Sequence, residues 1–221
     1  MEALQGAASD AVAEHLRSAI HSGSYAAGDR LVERRIAAEL GVSHIPVREA
    51  LARLTEEGLV VRLPGRSARV RELDERALEE LAVLRLLLER MVAVSVCDRF
   101  SEAIQGELEA IVTAMRAAAV RGDRAGITVC DEQFHAALWR HADNGLLLEI
   151  AAQLRGRVAS FLRAATEALS DDELLEHAES HARLVAVLSG RDRRIAGRAM
   201  GQHIDAAASR VRRIHEAAHE G

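Results

Sequence analysis

The sequence predicts a mainly α protein in two parts. A short N-terminal region mixes three helices with a small β-hairpin, and a long C-terminal region forms an all-α bundle of six helices. Three observations predict this. Apolar residues recur at three- and four-residue spacing along most of the chain. One stretch, "GLVVRLPGRSARVREL", instead alternates around Pro64-Gly65, as a hairpin does. The only two prolines, Pro46 and Pro64, precede residue 70, so nothing breaks the helices that follow.

In chain order, "SDAVAEHLRSAI" reads as an amphipathic helix, with Ser9 as N-cap and Val12, Leu16 and Ile20 on one face. "HSGSYAAGDRL" is a glycine-punctuated loop. "ERRIAAEL" is a short helix, and "GVS" is a three-residue turn. Gly41 suits a left-handed helix end and Ser43 a new N-cap. A second helix runs from His44 to Glu57, with Pro46 in its first turn and Val47, Ala50, Leu51 and Leu54 as its stripe. Val60–Arg62 and Ala68–Arg71 then pair as strands. Together these make a winged helix-turn-helix over residues 1–71. Residues 72–221 form the bundle, with helices near 74–98, 101–120, 123–142, 145–168, 171–189 and 192–218, separated by linkers rich in Asp, Gly, Ser or Asn.

The bulk numbers narrow the function. A chain of 221 residues with 49% hydrophobic and 29% charged residues builds a buried core. No apolar run is long enough to span a membrane, and the N-terminus lacks the basic-then-apolar order of a secretory signal. Cys97 and Cys130 form no CxxC and no disulfide framework, so a reduced, cytoplasmic setting is expected. Net charge is −5, so a nucleic-acid surface requires a focused arginine patch. Residues 1–71 hold 10 of the 29 arginines and only 9 of the 34 acids.

In a helix-turn-helix the second helix enters the major groove with its N-terminal residues at base edges. That turns Ser43, His44, Ile45 and Arg48 outward. Arg48 suits a bidentate contact to guanine or a phosphate; equally, it suits an ion pair with Glu33 or Glu49. Arg34 suits a backbone contact, and Arg66 at the hairpin tip suits a minor groove or phosphate.

The stretch from Ile20 to Val70 resembles the DNA-binding domain of the GntR superfamily of bacterial transcription regulators. The matching residues are Gly23, Gly28 and Leu31, then Ala37-x-x-Leu40-Gly41-Val42-Ser43, Pro46-Val47-Arg48-Glu49-Ala50-Leu51, Leu54 and Glu57-Gly58-Leu59. Ala27, Ser67 and His44 depart from the family pattern. Ala27 replaces a loop proline, and Ser67 replaces a wing glycine where backbone nears DNA. His44 replaces a base-reading arginine, and a neutral imidazole offers one donor and one acceptor instead of a fork.

In the bundle, Asp131-x-x-x-His135 places a carboxylate and an imidazole about one turn apart on one helix face. His181 lies beside Leu184, Val185 and Leu188, and His203 beside Met200 and Ile204. Three histidines and an aspartate from three helices thus border core-facing stripes, where bundles build metal sites. His177, one turn before His181, is its rival. Such a set suits zinc, nickel, manganese or iron.

Residues 74–218 resemble the all-helical effector domain of FadR-like regulators, the FCD class. The resemblance rests on Arg85-x-x-x-Glu89, Asp131-x-x-Phe134-His135, Asn144, Glu179-x-His181, and His203 22 residues further on. It implies that Asp131, His135, His181 and His203 hold a divalent metal (zinc, nickel or manganese). It also implies that Arg85 and Asn144 serve a small carboxylate effector. For Arg85 the alternative is a buried ion pair with Glu89. The tail His215-Glu216-Ala217-Ala218-His219 matches HExxH but lacks a third ligand and sits at a chain end, so a solvated face is the better reading.

The expected function is a metabolite-responsive, sequence-specific transcription regulator. It acts as a homodimer on palindromic operator DNA, with no membrane partner and no catalytic residues. The alternatives are a metalloenzyme using the three histidines and the aspartate, and a small-molecule-binding module whose winged part contacts proteins.

Overall fold

In a computed structural model, the structure describes residues 2–21, 24–63, 67–71 and 75–219. Among them nine helices and three short strands follow in the order α1 (Glu2–His21), β1 (Arg30–Leu31), α2 (Glu33–Leu40), α3 (His44–Glu56), β2 (Val60–Leu63), β3 (Ser67–Val70), α4 (Glu75–Arg99), α5 (Glu102–Val120), α6 (Arg124–His141), α7 (Gly145–Glu167), α8 (Asp171–Ser189) and α9 (Arg193–His219). Contacts divide the chain into two compact units. One comprises residues 1–73 with 152–160, the other 74–151 with 161–221.

In the first unit the stripes expected from spacing make the core. Val12, Leu16 and Ile20 of α1 pack with Ile36 of α2 and with Val47, Leu51 and Leu54 of α3, all nearly inaccessible. Gly41 ends α2 at φ 64°, a left-handed conformation that costs a residue without Cβ little. Ser43 has the extended backbone of an N-cap, but its side chain makes no cap bond. Two expectations need correction. Helix α1 starts at Glu2, so Ser9 is no N-cap. It is buried mid-helix and its hydroxyl donates to the Gly6 carbonyl at 3.1 Å. The alanines before it favour continued helix, and a serine inside a helix can satisfy itself on the preceding turn. The loop before α2 also contains a strand. Arg30 and Leu31 of β1 pair antiparallel with Arg69 and Ala68 of β3, giving a three-stranded sheet in the order β1-β3-β2. A two-residue strand is too short to show an alternation. The hairpin itself pairs Val60 with Val70 and Leu63 with Ser67, while its Pro64-Gly65 turn lies outside the described residues.

The sequence reading assigns the whole of α7 to the bundle. Its residues 152–160 instead share contacts with the first unit, where the Gly156 N–H donates to the Glu57 carbonyl at 2.8 Å and Ala159 joins the core.

The second unit contains the long helices, each starting and ending within two residues of its expected bounds. Side chains cap several of them, including α9, where Asp192 Oδ1 accepts from the Arg194 and Ile195 N–H groups. Ser101 accepts from Ile104 N–H, Asp123 from Gly126 N–H, and Asn144 from Leu147 N–H. Phe134, Leu108, Val96, Leu188, Met200 and Ile204 fill the core. Burial of such side chains stabilises by roughly 1.5–3 kcal/mol each, and this packing sets the facing of α6, α8 and α9.

Candidate metal centre and nucleic-acid interface

In the helix-turn-helix, burial of Val47, Ala50, Leu51 and Leu54 leaves the opposite face of α3 free. Ser43, His44, Ile45 and Arg48 are all exposed there, as is Arg34 on α2. Arg48 Nε sits 3.5 Å from Glu33 Oε2, and its carbonyl accepts from Arg62 Nη2 at 3.1 Å. Arg66 lies outside the described residues, as does the side chain of Ser67.

In the second unit α6, α8 and α9 bring Asp131, His135, His181 and His203 together. One donor atom from each lies within 4.8 Å of all the others. The first three are buried and His203 is half-buried. His177 joins them. Its Nε2 is 3.1 Å from Asp131 Oδ2, while His181 Nε2 is 3.2 Å from Oδ1. The rivals His177 and His181 are therefore both in the cluster. His135 Nε2 is 3.3 Å from Asp131 Oδ1 but makes no hydrogen bond with it, and is buried with no hydrogen-bond partner among the described residues.

Outer contacts orient two of the rings. His135 Nδ1 donates to Glu89 Oε2 at 3.0 Å, and His181 Nδ1 to the His177 carbonyl at 3.0 Å. Both rings thereby turn Nε2 inward, as outer partners do around metal-ligating histidines. Glu89 also faces Arg85 at 3.3 Å, each about 1% exposed, and Arg85 lies over the Phe161 ring at 5.1 Å. Two further guanidinium nitrogens of Arg85, Nε and Nη1, are buried without a partner among the described residues. Sequence reasoning paired Glu89 only with Arg85. Its contact with His135, 46 residues away, depends on how α4 packs on α6 and leaves no signal in spacing.

The electrostatics suit a cation. Burial raises the cost of charge on Asp131, but its interaction with His181 and the close approach of His135 and His177 outweigh it and hold the carboxyl well below its usual range. Burial keeps His203 neutral, reinforced by the neighbouring His181 and His135, and burial lowers His181 too. Burial opposes charge on His135, yet Glu89 and Asp131 prevail and push it up to about 9. One ionised carboxylate, two imidazoles in their metal-ligating neutral form and the buried His135 Nε2, which must give up its proton to a bound metal, form a donor set that fits a divalent cation.

A cleft of about 470 Å³ runs between α8 and α9, and His177, Ser180 and His203 line it. Asn144 is exposed, its side chain is engaged in the α7 cap, and it does not line this cleft. Helix α9 continues through the HExxH tail, whose side chains lie outside the described residues.

Residues 8–70 match the family model described as bacterial regulatory proteins, gntR family, and residues 80–206 match the FCD domain. This chain belongs to the GntR family, with an FCD domain. Among the relatives of this GntR/FCD regulator, the HTH-type transcriptional regulator McbR of Escherichia coli is 29% identical over 82% of each chain. The "Probable D-xylose utilization operon transcriptional repressor" of Paenarthrobacter nicotinovorans is 33% identical over 85% of this chain and 81% of its own length. The solved structure of E. coli McbR/YncC superposes with a TM-score of 0.83 at 25% identity, covering 94% of this chain and 98% of that one. The chain is thus a DNA-binding transcription regulator and not an enzyme. Among the described residues, no helix is long and apolar enough to cross a membrane.

Proposed function

We propose that this GntR/FCD regulator is a homodimer that reads a two-fold symmetric operator. Its affinity for DNA is set by a divalent metal and a small carboxylate effector in the helical unit. The observation that carries the sensing part is the convergence of Asp131, His135, His181 and His203 within 4.8 Å. These four residues hold the metal, whose identity as zinc, nickel or manganese the donor set leaves open. When bound, the metal supplies an open coordination position for a carboxylate oxygen. The two partnerless nitrogens of buried Arg85 offer further donors for a carboxylate, while its third contact anchors Glu89. Asn144 keeps its capping task and, like the buried Arg85, does not line the cleft between α8 and α9.

On the DNA side, Ser43, His44, Ile45 and Arg48 meet base edges, Arg34 meets the backbone, and Arg66 and Ser67 belong to the wing. The exposure of the first four and of Arg34 supports this. Glu33 holds Arg48 only loosely, so a phosphate or guanine can replace it. Val83, Leu87 and Met91 form an exposed apolar stripe along α4, 54–60% accessible. A second copy of the chain is the occupant that a two-fold operator calls for.

The test combines metal analysis of the purified protein with operator titration in the presence of zinc and of simple carboxylic acids. The expected result is about one metal per chain, lost in His135→Ala, and an operator affinity that shifts with acid. By linkage, DNA then shifts acid affinity by the same factor. A protein that binds no divalent metal, or an operator affinity blind to both ligands, overturns the reading.

A further inference from the structure

The cleft between α8 and α9 contains a cation that the cluster does not use. Arg210 lines it, and its Nε is buried with no partner among the described residues. The two acids beside it are engaged. Glu173 accepts from the Ser170 N–H at 2.8 Å and from its hydroxyl at 3.0 Å, and Glu176 pairs with Arg183 at 2.6 Å. Asp131 and Glu173 are the negative charges that reach Arg210 through space. Neither gives its Nε a hydrogen bond.

Arg210 and His203 share one face of α9. Seven residues separate them, which is about 10 Å along the axis and only about 20° around it. Helical side chains lean toward the N-terminus, so the guanidinium points back toward the imidazole. Leu169, Leu184 and Ala206 line the same cleft between polar ends. His203, the member of the metal set that lines the cleft, thus stands at one end, a guanidinium whose buried Nε has no partner among the described residues at the other, and an apolar wall between.

We propose that this cleft selects a dicarboxylate, with one acid group at the Asp131/His135/His181/His203 set and the other on Arg210. This rests on the metal-and-carboxylate reading above and adds the ligand class. Arg210 is the specificity residue. A carboxylate on its free N–H gains a charge-assisted hydrogen bond, and a monoacid too short to reach it does not.

The test is isothermal titration of the zinc-loaded full chain with acetate, succinate, glutarate and adipate, after zinc binding itself has been measured. A charge-assisted bond at this position corresponds to about tenfold in affinity or more. At least one diacid is therefore expected to bind about tenfold tighter than acetate. Arg210→Gln removes that advantage and leaves acetate binding unchanged, and Arg210→Lys retains part of it. Thermal melting of each variant reports folding, and the acid series on the unaltered protein needs no variant. Zinc and acetate binding without a diacid preference, or a preference that survives Arg210→Gln, overturns this inference alone. Absence of zinc or of acetate binding overturns the underlying reading, and this inference with it.

Discussion

Replacing Glu89 with glutamine isolates what the outer contacts of the metal set do. Glu89 Oε2 accepts from His135 Nδ1 at 3.0 Å, and both side chains are buried. That bond holds the ring with Nε2 facing the other donors. Burial would raise the Glu89 carboxyl, but the His135 charge and hydrogen bond and the Arg85 charge outweigh it and keep it ionised. Loss of such a partner typically costs 10–100-fold in metal affinity, or about 1.4–2.7 kcal/mol. A second cost falls on folding. Arg85 loses its anion at a site 1% exposed, and breaking a buried pair costs about 3–5 kcal/mol. The glutamine oxygen can still accept from Arg85 Nη2, so the lower end is expected. Metal affinity is read by competition with a chelator, and folding by urea denaturation of the metal-free protein. Trp139, the sole tryptophan, also lies close to Glu89, so its emission should shift in the variant. A metal affinity within twofold of the original, in a variant that folds, refutes the role given to Glu89.

Four other outcomes follow from the same geometry. Gly156→Ala sets a Cβ 2.5 Å from both the Glu57 carbonyl oxygen and the Leu59 nitrogen. Backbone must move, and the first unit should lose roughly 1–3 kcal/mol in denaturant titrations; unchanged stability would show that α7 does not press there. Arg48→Ala should weaken operator binding by about 1–3 kcal/mol if it reads a base. If Arg48 instead holds a phosphate, the loss is uniform across sequences and the salt dependence of binding becomes shallower. Leu87→Glu on the exposed α4 stripe should yield monomers in sedimentation, with operator affinity falling alongside; a dimer that persists removes α4 from the interface. Glu107 is held below its usual carboxylate range by hydrogen bonds from Arg140 and His141. Its folded pKa is depressed, so its stabilisation is present above about pH 4.5 and lost as pH falls further. Glu107 is more than a third exposed, so the effect should stay below about 1 kcal/mol. Glu107→Gln should lower stability at neutral pH by up to that amount, and the difference from the original protein should vanish in acid; a gap that persists in acid refutes the ionic origin.

Local chemistry made much of this protein readable from its residues alone. The stripes Val12/Leu16/Ile20 and Val47/Leu51/Leu54 define helix faces through a 3.6-residue period, whatever packs on them. Gly41 could take its left-handed φ in any surrounding, and Asp123, Asn144 and Ser101 cap helices through bonds that reach only three residues along the chain. The one-turn spacing of Asp131 and His135 already put both on one face.

Other features required the chain to be folded. Strand β1 is two residues long, and it exists only because β3, far along the chain, offers it a partner. Ser9 had the chemistry of a cap and became a buried mid-helix residue because its flanks continue the helix. Residues 152–160 of α7 join the first unit through Gly156, where the missing side chain lets two backbones meet. His177 and His181 compete in sequence, yet both reach Asp131, because they stand one turn apart on α8 and each meets a different oxygen of the same carboxylate. Glu89 and Arg210 carried no signal of these roles, being ordinary charged residues on amphipathic helices. A helix period dictates which side chains share a face. Which face meets which is decided only by tertiary packing, and there an unremarkable glutamate becomes the partner of a buried histidine and an unremarkable arginine the empty end of a cleft.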